Sequence, residues 1–201
     1  MKQLHRDDLF GWSVFDEARN VDFHGTCLVR DGGCVLIDPL PLSEHDLQHV
    51  RDLGGVSWVA VTNSDHTRGA ADIAALFDAP IAGPRGEEGA LPLPVTRWLG
   101  DGDTLVDGLV ALEMRGSKTP GELAFLLDGT TLITGDLVRG QRGGRLNLLP
   151  DAKLTDRPAV YGSIRRLLEL EHLEAVLVGD GWPVFRGGRA ALAELIVSLT
   201  R

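Results

Sequence analysis

No stretch of this chain comes near the roughly 20 consecutive apolar residues that a bilayer-spanning helix needs. Its first residues, MKQLHRDDLFGW, carry charges of both signs and no apolar signal segment. Both absences lead to the expectation of a cytoplasmic protein with no membrane partner. Cysteine is scarce as well. Cys27 and Cys34 lie in apolar surroundings, and neither has a second cysteine at metal-site spacing. In the cytoplasm they read as reduced core thiols rather than as a disulfide. Long basic runs are missing too, and the net charge is −9. That balance argues against nucleic acid as a partner. Arg139, Arg142 and Arg145 form a local exception, read here as a mobile basic loop.

What is present suits a single globular domain spanning residues 1–201. Hydrophobic residues make up 43% of the chain and charged residues 24%. A chain of this length buries roughly 70% of its surface, enough for a substantial core.

Two segments share one order of elements. The first runs from GTCLVRDGGCVLIDPL through a helix-like stretch to VSWVAVTNSDHTRGAADIAALF. The second runs from GELAFLLDGTTLITGDLV through a helix-like stretch to LEAVLVGDGWPVFRGGRAALAELI. Each opens with a hairpin turning at Asp-Gly, Asp31-Gly32 or Asp128-Gly129, and reaches an aspartate, Asp38 or Asp136. Ser43 with Asp46 predicts a helix start. Helical periodicity continues through Ile73, Ala74 and Phe77, through Val160, Ile164 and Leu167, and through Leu192, Leu195 and Ile196. Residues 83–94 and 139–153 are rich in Gly and Pro and read as loops, the second as a mobile loop or lid beside Asp136. Strands alternating with helices predict an α/β fold. The repetition predicts two pseudo-symmetric halves dividing near residue 105, with two sheets packed face to face and helices outside, a four-layer αββα sandwich.

Four polar loops follow apolar strands: TNSDHTRG (62–69), RGSKTPGE (115–122), GDLVRG (135–140) and GDGWP (179–183). Strand ends on one edge of a layered fold converge, so these loops are expected to build one site from Asn63, Asp65, His66, Lys118, Asp136 and Asp180. Trp182 and Arg68 stand beside it as candidate substrate contacts.

In these words and their order the sequence resembles the metallo-β-lactamase superfamily. That family carries His-x-His-x-Asp-His after an early strand, then Gly-His-Thr-Pro-Gly, then Thr-Gly-Asp, then Gly-His-Gly. Here the corresponding pieces are VTNSDH, SKTPGE, ITGDL and VGDGW, with Asp38 in VLIDP resembling an early structural aspartate. The resemblance implies the αββα hydrolase fold. It also maps the family's first metal site onto Val61, Asn63 and Lys118, which cannot form it. The second metal site falls on Asp65, His66, Asp136 and Asp180, each able to hold a cation. Anchoring on Thr62 instead would put Asn63, Asp65 and Arg68 on ligand positions and leave His66 out.

Three carboxylates need compensating positive charge, from Lys118, from one bound cation, or from both. Three carboxylates with one imidazole suit Mg²⁺, Mn²⁺ or Fe²⁺ better than a histidine-rich zinc site. The leading expectation is a hydrolase of a small ester, thioester, amide or phosphoester. One divalent metal (Mg, Mn, Fe or Zn) would activate water, Lys118 would stabilise negative charge, and Asn63 would donate a hydrogen bond. Two other readings stay open. One is a metal-free descendant that binds a small acidic metabolite through Lys118 and its neighbours. The other is a metal-free enzyme using Lys118 and a carboxylate as acid and base. A homodimer is compatible with the sequence.

Overall fold

The computed structural model describes residues 1–199, which form two compact units, Met1–Leu99 and Gly100 onward. Among the described residues no helix is long and apolar enough to cross a membrane.

The first unit is a seven-stranded sheet whose spatial order follows the chain: β1 (Lys2–Gln3), β2 (Leu9–Asp16), β3 (Val21–Arg30), β4 (Gly33–Ile37), β5 (Val56–Ala60), β6 (Ile81–Pro84) and β7 (Val95–Leu99). The first four pair antiparallel and the last four parallel. That switch follows from connection length. Asp31-Gly32 closes a tight hairpin, whereas β4 to β5 is a crossover containing helix α1 (Glu44–Asp52). The Ser43 hydroxyl caps α1 by accepting the Asp46 N–H at 3.1 Å, as the sequence predicted. Helix α2 (Ala70–Phe77) buries Ala70, Ile73 and Ala74 in a core with Cys27, Cys34, Leu36, Val59 and Val61. Both thiols are free and buried, as expected from the sequence.

The second unit repeats the logic. Its five-stranded sheet contains β8 (Thr104–Val106), β9 (Leu109–Glu113), β10 (Leu123–Leu127), β11 (Thr131–Thr134) and β14 (Ala175–Val178), in the spatial order β14-β11-β10-β9-β8. Hairpin β10–β11 turns at Asp128-Gly129. Helix α3 (Arg157–Leu167) then crosses over to β14, which pairs parallel with β11. Hairpin, helix and parallel strand recur as β3–β4, α1 and β5 in the first unit. The expected repeat is therefore present in the topology of each unit. Helices α3 and α4 (Gly188–Leu199) pack Val160, Ile164, Leu167, Leu192 and Leu195 against Leu132, Val176 and Val178. Each such leucine, fully buried, contributes about 1.5–3 kcal/mol of apolar transfer free energy.

Two expectations need correction. Residues 139–153 are not an irregular lid. They form hairpin β12 (Val138–Arg142) and β13 (Arg145–Leu148), turning at Gly143-Gly144, followed by a 3-10 turn. The glycines that made the stretch look irregular make its turn. Residues 83–94 likewise begin as β6 and a 3-10 turn that buries Glu87.

One charged link in the first unit lends itself to measurement. Asp8 accepts from Arg6 at 2.8 Å and from Arg30, at the end of β3, at 2.6 Å. The hydrogen bond from Arg6 is the largest influence and holds the Asp8 carboxyl well below the usual carboxylate range; burial works against it, and Arg30 adds to the lowering. A carboxylate held low in the folded state contributes stability above its unfolded value, and that contribution is lost as pH falls through the folded value. Wild type is therefore expected to exceed Asp8→Asn in urea-unfolding stability at pH 6, with the gap shrinking steadily below about pH 4. A gap that does not change with pH would show that the charge is unimportant.

Candidate functional site

In the first unit the loop after β5 is organised around Asp38. This residue is 3% exposed and has φ +48°, a left-handed conformation that costs most side chains energy but that Asp and Asn tolerate. That backbone turn aims the carboxylate back at the loop. Its Oδ1 accepts the Thr62 N–H at 2.7 Å, and its Oδ2 accepts the Thr62 hydroxyl at 2.6 Å. His66 Nδ1 lies 2.7 Å from the same Oδ2 and 3.1 Å from Thr62 Oγ1. An acceptor-only carboxylate at that distance assigns the Nδ1 proton to the histidine.

The adjacent residues play different parts. Asn63 is fully buried. Its Oδ1 accepts the Asp65 N–H at 2.9 Å, capping the 3-10 turn Ser64–His66, and its Nδ2 donates to Thr62 Oγ1 at 3.4 Å. Its amide oxygen thus serves the turn, a role asparagine fills readily. Asp65 is exposed while His66 is buried. With three residues per turn, neighbours on a 3-10 helix point about 120° apart, which separates the pair that looked like one ligand set. The Arg68 guanidinium donates to the His24 carbonyl at 3.1 Å and lies 5.0 Å from the Phe23 ring centre. It packs against β3. Glu87, which the sequence reading passed over, accepts the Ser64 N–H at 2.7 Å and is 1% exposed. Its only signal was an acidic residue inside a Gly-Pro stretch, which normally means solvent.

The second unit brings Lys118, Asp136 and Asp180 together, and adds a residue read as part of a basic loop. Lys118 Nζ lies 2.8 Å from Asp136 Oδ2. One terminal nitrogen of Arg139, Nη2, lies 2.7 Å from Asp136 Oδ1 and 2.7 Å from Asp180 Oδ2, while Nε donates to the Asp136 carbonyl at 3.0 Å. The two aspartates are 3% exposed or nearly so, the Arg139 side chain 12% and Lys118 22%. Two buried carboxylates and two cations thus form a neutral cluster.

Local backbone explains why Arg139 reaches Asp180. Gly140 pairs with Gly181: the Gly140 N–H donates to the Asp180 carbonyl at 3.0 Å, and the Trp182 N–H donates to the Gly140 carbonyl at 2.6 Å. A β-carbon on Gly140 would stand 2.0 Å from the Trp182 carbonyl oxygen, and one on Gly181 would stand 2.4 Å from that of Gly140. Only glycine permits this approach. The Trp182 side chain is 62% exposed.

Glu122, fully buried, fixes the other two loops. Its Oε1 accepts the Leu137 N–H at 2.7 Å, and its other oxygen accepts the Ser117 hydroxyl. One carboxylate therefore holds the loop carrying Lys118 beside the loop carrying Asp136. Next to Lys118 in the chain, the Thr119 hydroxyl is buried without a hydrogen-bond partner among the described residues.

A family model described as metallo-beta-lactamase superfamily matches residues 1–199. No curated protein matches. Among solved structures, a metallo-beta-lactamase from Pontibacter korlensis superposes with a TM-score of 0.77 at 16% identity, covering 98% of this chain and 96% of that one. The DIM-1 metallo-beta-lactamase gives a TM-score of 0.75 at 16% identity over 96% and 94%. A metallo-beta-lactamase family protein from Thermus thermophilus gives 0.71 at 18% identity over 96% and 79%. At these identities the likeness speaks to the fold, and the α/β, metallo-β-lactamase-like class expected from the sequence is borne out.

The Asp38 network sets up a substitution pair. Asp38→Asn keeps a side chain that tolerates the left-handed backbone but loses the charge, and is expected to cost about 1–3 kcal/mol. Asp38→Ala should cost about 1 kcal/mol more, because alanine also pays for the positive φ. Chemical unfolding of both variants checks the order; equal losses would remove the backbone from the account.

Proposed function

The chain belongs to the metallo-β-lactamase superfamily, and from that premise we propose that it binds a small acidic metabolite at Lys118, in a site that works without a metal. Members of this superfamily of hydrolases bind divalent metals, so the residues present have to be tested against one. At the positions that the motif assigns to the first metal, Val61 is fully buried and has no ligand atom, Asn63 is spent on its cap, and Lys118 is a cation. At the second, Asp136 and Asp180 already hold a guanidinium. A metal needs negative charge to compensate its own, and here two side-chain cations have cancelled it. On this reading the side-chain cations fill the place of a metal, and the chemistry rests on the chain's own residues.

The neutral cluster is the observation that carries this reading. Lys118 is its most open member, and its ammonium is a charged donor held at Asp136. The Thr119 hydroxyl beside it is a buried group that native proteins normally satisfy, and a ligand oxygen would do so. Trp182, exposed in the same unit, offers a flat apolar wall. A small carboxylate or phosphate, desolvated against that wall, would meet a charged donor and a hydroxyl. We take the cytoplasm as its setting.

A second reading is a metal-dependent hydrolase in which Asp65, His66, Asp136 and Asp180 hold one divalent ion. One observation favours it: the carboxylate of Asp38 fixes His66 through Nδ1, as second-layer carboxylates do for metal-binding histidines.

Thermal denaturation with a panel of small dicarboxylates and inorganic phosphate separates the two. A ligand at about 100 times its Kd contributes about 2.7 kcal/mol, several degrees for a chain of this size. At least one acid is expected to raise the melting temperature of wild type and not of Lys118→Met, with no dependence on chelator. Absence of any shift, together with ester or amide hydrolysis that EDTA abolishes, would favour the second reading.

A further inference from the structure

We infer that Arg139 is a resident cation that takes the place of a metal between Asp136 and Asp180, and that its guanidinium is what keeps divalent ions out of this protein. The inference deepens the metal-free reading above and rests on it. Its basis is geometric. A single nitrogen, Nη2, contacts one oxygen of each aspartate at 2.7 Å. The two carboxylates therefore converge on one point, as two ligands of one ion must. Asp136 is held from both sides, with Oδ1 on Arg139 and Oδ2 on Lys118.

The guanidinium is not a loose surface group that a metal would sweep aside. Its Nε–H is fixed to the Asp136 carbonyl at 3.0 Å, and its backbone belongs to β12. The next residue, Gly140, is clamped to Gly181 through hydrogen bonds of 3.0 and 2.6 Å on either side. Moving Arg139 out would break this ladder or strand its charge. Leaving it in place would set a divalent ion against two fixed positive charges in a region where screening by water is weak. Removing only the charge of Arg139 reverses the balance. Two nearly buried carboxylates would then lose one of the two cations that balance them, and an uncompensated buried charge is strongly unfavourable. A hard cation completing its shell with water needs no more than one or two protein carboxylates. Arg139 substitution should therefore create a metal site that wild type lacks.

The test uses the full chain and Mn²⁺ alone, with bound and free ion distinguished by electron paramagnetic resonance. Wild type is expected to bind no stoichiometric Mn²⁺. Arg139→Gln is expected to bind it stoichiometrically and roughly 100-fold more tightly than wild type. Adding Asp180→Asn to Arg139→Gln should abolish that gain, and Arg139→Lys, which restores a cation, should not show it. If Arg139→Gln is too unstable to fold, Mn²⁺ present during refolding is expected to recover its native circular dichroism, and failure to do so counts against the proposal. Stoichiometric Mn²⁺ in wild type would overturn both the metal-free reading and the role of Arg139. No binding in wild type and none in folded Arg139→Gln would overturn the role of Arg139 alone and leave the metal-free reading standing.

Discussion

A carboxylate taken out of water must find positive charge or give up its own. Asp136 and Asp180 are both nearly inaccessible, and the second unit is arranged to meet that demand. Glu122 holds the loop that carries Lys118 beside the loop that carries Asp136. The Gly140–Gly181 contact brings Arg139 to Asp180. A buried ion pair is weak evidence of net stability, because desolvation offsets much of the attraction. Its effect here is to fix geometry: four loop or strand-end positions are tied to a single arrangement by contacts of 2.7–2.8 Å.

The first unit solves a related problem by another route. Asp38 is also buried, but its partners are a backbone N–H, a hydroxyl and an imidazole rather than arginine or lysine. Hydrogen bonds to the charged form do there what ion pairs do in the second unit. Both aspartates stand just past the second strand of a hairpin that precedes a crossover helix, Asp38 after β4 and Asp136 after β11. One topological position, used twice, thus carries two different electrostatic solutions.

Much of this was legible in the sequence. Hairpins with Asp-Gly turns, the Ser43 cap, the apolar stripes of α2, α3 and α4, and the words Thr119-Pro120-Gly121 and Thr134-Gly135-Asp136 depend on local rules, and local rules can be read locally. Asp136, Asp180 and Lys118 were readable as one group because each follows a strand of one sheet or its hairpin. Arg139 was not. Its neighbours Gly140, Gly143 and Gly144 lowered the apparent order of the segment, and nothing in a one-dimensional string says that Gly140 lies against Gly181. Asn63 and Asp65 show the converse. Polar residues after a strand look like a site, whereas two of them were building the turn that presents a third. The strand pair β1–β2 and the burial of Glu87 left no pattern strong enough to notice.

The close contact of Gly140 with Gly181 has a consequence for how this chain tolerates change over time. The pairing of charges in the cluster can be lost without altering any charged residue. A single methyl group at either glycine would push β12 away from the Asp180 loop, and Arg139 would travel with it. Drift at two residues that bear no side chain can therefore undo the pairing of Arg139 with Asp180. Sequence surveys that score only ligand positions would miss that event.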